Sequence, residues 1–119
     1  APGAFRAGAA FAPGDLWEEA AINEPHMGLP SENADAYARH QAAAGAEQLA
    51  GALLIVHGTA DENAPFSTTM RVVRALVEAG REHELVVLPD AGHFLGGAAR
   101  DYADARLIDF LDRELGPAR

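Results

Sequence analysis

The sequence contains no cysteine. Disulfide bridges and catalysis by a thiolate are therefore excluded, whereas the compartment in which the protein works is left open. Positive charge is also scarce, because Lys and Arg total 9 against 18 for Asp and Glu, and the formal net charge is −9. Since this charge would repel the phosphates of a nucleic acid, we expect no nucleic-acid partner.

Long apolar runs are missing as well, so no membrane-spanning segment is expected. A chain of 119 residues makes one domain or less. His26, His40 and His83 have no metal-ligand spacing with one another or with acidic residues, and we expect neither a metal nor another cofactor. We expect a soluble protein, with the choice between cytoplasm and periplasm undecided.

The most informative stretch is an apolar run, Leu53–Val56, which leads into His57-Gly58 and then into a polar loop. A short, continuously apolar run bounded by turn residues is typical of a buried strand in a parallel sheet. In open α/β sheets the functional groups lie just beyond the carboxyl ends of such strands. Asp61 stands three residues after Gly58 and is therefore a candidate functional residue.

A second apolar run, residues 85–88, is followed by a loop that contains His93. An acid before a helix is usually a cap or a turn former, and a loop histidine is equally ordinary. Together, however, Asp61 and His93 follow two strands in the order Ser…Asp…His of α/β hydrolases. A buried carboxylate can orient an imidazole that accepts a serine proton, so both are candidate catalytic residues.

The helices can be predicted from periodicity and from end signals. The spacing predicts a helix over residues 65–79 and another over about 98–115, while residues 31–50 read as helical pieces broken near Gly45. A weaker strand is predicted near residues 8–12. The apolar face is expected at Phe66, Met70, Val73, Leu76 and Val77 in the first helix, and at Ala105, Ile108, Leu111 and Leu115 in the last. Alternating strands and helices predict an α/β fold with parallel strands.

Three short motifs resemble the prolyl oligopeptidase family of serine peptidases. They are His-Gly-Thr-Ala-Asp-Glu-Asn at residues 57–63, Met-Gly-Leu-Pro at residues 27–30 and Gly-His at residues 92–93. The resemblance runs from about residue 5 to 115, and dipeptidyl peptidase IV-like and acylaminoacyl-peptidase-like members are the nearest in pattern. It implies the C-terminal half of an α/β-hydrolase fold, with a mostly parallel sheet of about three strands flanked by helices.

The resemblance implies a peptidase that hydrolyses short peptides with a Ser-Asp-His triad, to which this chain contributes Asp61 and His93. The serines of the chain, Ser31 and Ser67, do not lie in a Gly-x-Ser-x-Gly nucleophile elbow. In the family the nucleophile precedes the strand predicted near residues 8–12. We therefore expect residues 1–119 to be the C-terminal portion of a peptidase domain, inactive alone, and to pair with the upstream half of that domain or with another copy.

The resemblance also implies substrate-binding roles for Trp17, Asn63 and Ala64. Trp17 matches a wall of the pocket for the residue before the cleaved bond, Ala64 matches the lining of that pocket, and Asn63 matches a residue that holds a substrate carbonyl. The family usually has tyrosines between this tryptophan and the motif at residues 27–30. Their absence here argues against a preference for cleavage after proline.

Two alternatives stay open. The fold and the Asp and His elements are shared by esterases and by dienelactone-hydrolase-like enzymes, and a truncated hydrolase domain could act only in assembly. A Gly-x-Ser-x-Gly elbow shortly upstream of residue 1 would favour the peptidase. We interpret His57 as a structural residue that packs under the loop bearing Asp61.

Overall fold

Three parallel strands form the sheet of this protein. The computed structural model describes residues 3–14 and 20–116. Its strands are β1 (Ala7–Phe11), β2 (Ala52–Gly58) and β3 (Glu84–Leu88), in the spatial order β1-β2-β3. Both pairings are parallel. The α/β class predicted from the sequence, with about three parallel strands, is confirmed.

Four α-helices and one 3₁₀ helix flank the sheet: α1 (Ala20–Met27), α2 (Ala34–His40), the 3₁₀ helix (Ala42–Gln48), α3 (Phe66–Glu78) and α4 (Gly97–Leu115). The helix break predicted near Gly45 is wrong. The chain leaves helical geometry at Gln41, where φ is −64° and ψ is 136°, and the 3₁₀ helix runs through Gly45. One glycine costs a helix only about 1 kcal/mol relative to alanine, so a single glycine need not interrupt it.

The central strand β2 has core on both of its faces. Leu54 and Val56 pack on the α4 side, in a cluster with Leu88, Ala103 and Phe110. Ile55 points to the opposite face, where it packs with Ala46, Val72 and Leu76. Because alternate residues of a strand face opposite sides, burial on both sides requires the uninterrupted apolar run seen in the sequence.

The apolar face predicted for α3 is only partly correct. Leu76 is buried and Val73 packs against the core, as predicted. Met70 and Val77, however, are 36% and 65% exposed, and Thr68, Thr69 and Val72 are buried instead. The Thr68 hydroxyl donates to the carbonyl of Pro65, and the Thr69 hydroxyl bonds to His57. A threonine whose hydroxyl is hydrogen-bonded can be buried at little cost, and a ranking by hydrophobicity alone overlooks such residues.

The face predicted for α4 is also rotated from the observed one. Ile108 and Leu115 are 58% and 51% exposed, while Phe110 is 1% exposed. Arg106 and Arg113 both pair with Glu84 of β3. Burial of the large Phe110 ring, with these two ion pairs beside it, turns the helix so that Ala103 and Phe110 face the sheet. Of the predicted face, Leu111 still packs against this core, whereas Ala105, Ile108 and Leu115 are exposed.

The outer side of β1 has no partner strand in the part of the chain that the structure describes, since β1 pairs with β2 alone. Beside it runs an apolar groove of about 590 Å³ between β1, the 3₁₀ helix and α3. Leu49, Ile55 and Val72 are among the residues that line the groove. Among the described residues, no helix combines the length and apolar character needed to cross a membrane.

Candidate active site

Asp61 lies in the loop that follows β2, residues 59–65, here called the acid loop. The residue is only 6% exposed. Its Oδ1 atom accepts hydrogen bonds from the backbone N–H groups of Asn63, at 2.9 Å, and Ala64, at 2.8 Å. These two bonds curl the loop around its own carboxylate, as an aspartate does in an Asx turn. The Oδ2 atom is left facing the neighbouring loop.

His93 lies in the loop that follows β3, residues 89–96, here called the histidine loop. Its Nδ1 atom is 2.9 Å from Asp61 Oδ2. Because a carboxylate oxygen can only accept, the proton of this hydrogen bond is on Nδ1, and in the neutral form of the ring the lone pair is then on Nε2. The His93 side chain is 34% exposed. The contact expected from the order and strand-end positions of the two residues is thus present.

Backbone hydrogen bonds hold the acid loop and the histidine loop together. Thr59 N–H donates to the carbonyl of Leu88 and Ala60 N–H donates to the carbonyl of Ala91, both at 3.0 Å. In the opposite direction, Asp90 N–H donates to Thr59 Oγ1 at 2.9 Å. Asp90 has a φ of 56°, a left-handed conformation in which aspartate is enriched among non-glycine residues. The distance between Asp61 and His93 is therefore set by the loop backbones.

Gly58, the last residue of β2, permits this close approach. A Cβ atom at this position would collide with the backbone carbonyl of Ala91. The backbone of Gly58 does not have a positive φ, so its own conformation does not require a glycine. The requirement comes from the neighbouring backbone, which leaves no room for a Cβ atom. Close packing of the two loops thus explains the glycine of the His-Gly pair at the end of β2.

His57, the residue before this glycine, is 1% exposed and lies beneath the acid loop, as predicted. Its Nε2 atom is 2.9 Å from the carbonyl oxygen of Ala64, and its Nδ1 atom is 2.6 Å from Thr69 Oγ1. Nε2 is also 3.3 Å from Asp61 Oδ2. The buried imidazole therefore contacts both the carboxylate and the loop that carries it.

The electrostatics of the site favour an ionised Asp61. Burial acts to raise the pKa of this carboxyl, but hydrogen bonds from Ala64 N–H, His93 and Asn63 N–H, together with the charge of His93, outweigh burial. The pKa of Asp61 is lowered from its ordinary value as a result. At neutral pH the site thus holds a carboxylate that can orient an imidazole and stabilise an imidazolium.

Comparison with known proteins identifies the family. Residues 2–118 match the model of the prolyl oligopeptidase family. The chain belongs to the prolyl oligopeptidase family. It is 34% identical over 115 residues to dipeptidyl peptidase 4 of Bos taurus and 32% identical over 114 residues to prolyl endopeptidase FAP of Homo sapiens, covering 92% of this chain in each case. The chain spans 15% of the length of either relative.

Solved structures of the family show the same fold. The crystal structure of dipeptidyl peptidase 4 from Porphyromonas gingivalis superimposes with a TM-score of 0.88 at 36% sequence identity, covering 95% of this chain and 16% of that one. A putative dipeptidyl aminopeptidase IV from Bacteroides ovatus gives a TM-score of 0.86 at 25% identity, covering 92% of this chain and 16% of that one. The sheet and its flanking helices are therefore those of the α/β-hydrolase part of family members.

The other candidate site residues of this family member are distributed unevenly. Asn63 is exposed in the acid loop, close in sequence to Asp61. Ala64 is 2% exposed, and its backbone contacts both Asp61 and His57. Trp17 lies outside the described residues. Of the predicted site residues, the structure thus brings Asp61, Asn63 and Ala64 of the acid loop together with His93.

An open cleft of about 440 Å³ lies beside His93 at the carboxyl ends of β1 and β2. Phe11, Val56 and Leu107 give it an apolar wall, and the ion pair between Arg100 and Asp104 lies at its border. Within the described parts of the chain, no three His, Asp or Glu side chains are grouped to hold a metal ion. The cleft therefore offers access to His93 from the side of β1.

Sequence reasoning missed Thr69 and the bond between Thr59 and Asp90. Thr69 is fully buried, yet in the sequence it is one polar residue in the first turns of an amphipathic helix. A signal for Thr69 would have been available only if the buried face of α3 had been predicted correctly, because a polar residue on such a face needs a hydrogen-bond partner. The Thr59–Asp90 bond has no sequence signal, because both residues are ordinary turn formers.

Proposed function

We propose that this chain supplies the aspartate and the histidine of a Ser-Asp-His triad in a serine peptidase that hydrolyses short peptides. The observation that carries the proposal is the 2.9 Å contact between His93 Nδ1 and Asp61 Oδ2. Asp61 is buried and accepts two backbone hydrogen bonds, while His93 is partly open to the cleft. A fixed carboxylate and an accessible imidazole are what the chemistry requires.

In this mechanism His93 Nε2 takes the proton of the serine hydroxyl as the serine oxygen attacks the peptide carbonyl. The same nitrogen then gives that proton to the leaving amine, and an acyl-enzyme remains. A water molecule, deprotonated in its turn by His93, hydrolyses the acyl-enzyme. Asp61 keeps the proton on Nδ1 and stabilises the imidazolium formed in each half of the reaction.

The serine comes, in this proposal, from sequence outside these 119 residues. Ser31 and Ser67 are both exposed, Ser67 lies in the first turn of α3, and neither has the glycines of a nucleophile elbow. Residues 1–119 then act as the C-terminal portion of a catalytic domain. The open side of β1 and the adjoining apolar groove are where the upstream half of that domain, or another copy of the chain, would pair.

Peptide binding is assigned to residues close to the triad pair. Asn63 is the candidate for holding a substrate carbonyl, because it is exposed and its own N–H is anchored to Asp61. Ala64 and Trp17 are the candidates for the pocket of the residue before the cleaved bond. Residues 18–26 contain no tyrosine, so the proposal covers short peptides and includes no preference for cleavage after proline.

Covalent labelling of the nucleophilic serine in the complete protein tests the triad. We expect a fluorophosphonate probe to label the wild type, and His93→Ala to abolish labelling. Asp61→Asn should lower kcat on the order of 10⁴-fold, as the loss of the triad aspartate does in serine proteases. His40→Ala, which removes an exposed histidine of α2, is the matched control and should react like the wild type. Normal labelling of the His93→Ala variant would contradict the proposal.

The 119-residue chain alone should show no labelling and no peptide hydrolysis, since it has no activated serine. Stoichiometric modification of Ser31 or Ser67 would contradict this expectation. If the complete protein cleaves simple esters but no peptide amides, the esterase alternative is correct. If the complete protein is not labelled at all, a role in assembly alone is correct.

Pairing along β1 is tested by the state of the isolated chain in solution. An open strand edge and an uncovered apolar groove favour association with another chain. We therefore expect the isolated chain to self-associate or to unfold without cooperativity. Light scattering that shows a monodisperse monomer at micromolar concentration, together with cooperative thermal unfolding, would contradict this part of the proposal.

A further inference from the structure

Among the residues that the structure describes, His57 is a buried imidazole that the mechanism proposed above does not use. Its ring lies directly beneath the acid loop, with Nε2 3.3 Å from Asp61 Oδ2. This is the same oxygen that accepts from His93 Nδ1. The Asp61 carboxylate is therefore flanked by two imidazoles, one buried and one open to the cleft.

Its hydrogen bonds define the tautomer of His57. The Ala64 carbonyl oxygen, 2.9 Å from Nε2, can only accept, so Nε2 carries a proton. The Thr69 hydroxyl is 2.6 Å from Nδ1 and has no other hydrogen-bond partner within the described parts of the chain. In a neutral imidazole with its proton on Nε2, the lone pair is on Nδ1, where it can accept from the Thr69 hydroxyl. The two partners thus select the Nε2-protonated tautomer of His57.

The Nε2 edge of the ring contacts Asp61 and the peptide that helps to hold it, while the Nδ1 edge is tied to Thr69 of α3. The Ala64 peptide accepts from His57 through its carbonyl, and the Ala64 N–H donates to Asp61 Oδ1. The Nε2 edge of the ring stands against Oδ2. A histidine with only a packing role would not need hydrogen bonds to the acid loop. The two hydrogen bonds of His57 instead place a rigid ring between α3 and the Asp61 carboxylate.

We propose that His57 is a positioning residue: held by Thr69, it fixes the Ala64 peptide and the Asp61 carboxylate so that Oδ2 stays aimed at His93 Nδ1. The inference rests on the proposed triad. A neutral His57 brings no second positive charge to the carboxylate when His93 becomes an imidazolium. Asp61 can therefore direct its full charge to the ring that exchanges protons.

Variants of the complete protein separate positioning from packing. His57→Phe keeps a flat ring against Phe66, with which His57 makes an edge-to-face contact at 5.4 Å, and removes both ring nitrogens. We expect kcat to fall about 10- to 100-fold with KM within about twofold, because a small misplacement of a catalytic group costs rate. His57→Gln retains an N–H donor near the Nε2 position and should restore most of kcat.

Thr69→Val and Thr68→Val form a matched pair that does not disturb the ring itself. Both threonines are fully buried in one turn of α3, but the Thr68 hydroxyl shares its single proton between the carbonyls of Pro13 and Pro65. We expect Thr69→Val to lower kcat severalfold and Thr68→Val to leave it at the wild-type value. The pair tests the proposal even if His57→Phe does not fold.

A spectroscopic readout is independent of turnover, and so it separates a failure of this inference from a failure of the proposed triad. In protein labelled with ¹⁵N-histidine, His57 should show a protonated, pyrrole-type Nε2 and a pyridine-type Nδ1. The low-field proton of His93 Nδ1–H, bonded to Asp61, should be preserved in Thr68→Val and His57→Gln and shifted or broadened in Thr69→Val and His57→Phe. A pyridine-type Nε2 in His57 would overturn the proposal. An unchanged low-field proton with unchanged kcat in Thr69→Val would also overturn it.

Discussion

The acid loop and the histidine loop have similar positions, since each follows a parallel strand, but they are built differently. In the acid loop Asp61 is 6% exposed and accepts from two N–H groups of its own loop and from His93. In the histidine loop the His93 side chain is hydrogen-bonded, among the residues that the structure describes, to Asp61 alone, and Phe94 beside it is 87% exposed. One loop is ordered around its functional side chain, and the other presents its side chain outward.

The difference matches what each group would have to do. A carboxylate that stabilises an imidazolium must be oriented before the reaction, because reorganising it during the reaction would cost free energy. An imidazole that exchanges protons with a nucleophile and a leaving group must be reached by both. The histidine loop is therefore held by its backbone bonds to the acid loop rather than by bonds within itself.

Alanine substitution of His57, beneath the acid loop, and of His93, in the histidine loop, should have very different effects on stability. We expect His57→Ala to lower the free energy of unfolding of the complete protein by about 3 kcal/mol, because it leaves a cavity and two unsatisfied buried groups. His93→Ala should cost less than about 1 kcal/mol, since one bond at a partly exposed side chain is lost. Urea denaturation of the complete protein measures both. Equal losses would show that the two loops do not differ in this way.

Gly58→Ala should separate the two loops. The new methyl group would collide with the Ala91 carbonyl, and we expect a loss of about 2 kcal/mol with faster hydrogen exchange in both loops. Gly8→Ala is the control, because a methyl group at this strand glycine would meet no atom within 4 Å and the residue has no positive φ. Slow exchange in residues 59–65 and 89–96 of the Gly58→Ala variant would contradict the expectation.

Acidification should loosen the acid loop before the histidine loop loses its other bonds. Because the folded-state pKa of Asp61 is lowered, its ionisation contributes stability that is complete above the unfolded-state value, near 3.8, and is lost as the pH falls through the lower folded-state value. Stability measured against pH should therefore fall more steeply in acid for the wild type than for Asp61→Asn. Parallel curves for the two proteins would exclude this contribution.

The smallest expected effect concerns the side-chain bond between the loops. Thr59→Val removes the acceptor of Asp90 N–H and should cost about 0.5 to 1 kcal/mol, because the bond is exposed to solvent. Thr59→Ser retains the hydroxyl and is the control. Differential scanning calorimetry of the complete protein measures both, and a loss in Thr59→Ser as large as in Thr59→Val would show that the hydroxyl is not the cause.

The sheet, the order of its elements and the contact between Asp61 and His93 could be predicted from patterns along the chain. Residues 53–56 and 85–88 are short apolar runs that end in polar loops, and parallel strands bring such ends to one edge of a sheet. Periodicity located α3 and α4 to within a residue or two. These features depend on patterns along the chain, which is why local reasoning reached them.

Which face each helix buries and how the two loops are held depend instead on contacts between residues that are far apart in the sequence. Thr68 and Thr69 are buried because acceptors and a histidine from elsewhere in the chain satisfy their hydroxyls. Phe110 faces the sheet with Arg113 paired to Glu84 beside it. The need for glycine at position 58 arises from the Ala91 carbonyl of another loop. Each of these features depends on a partner that is distant in sequence, and no local pattern encodes the partner's position.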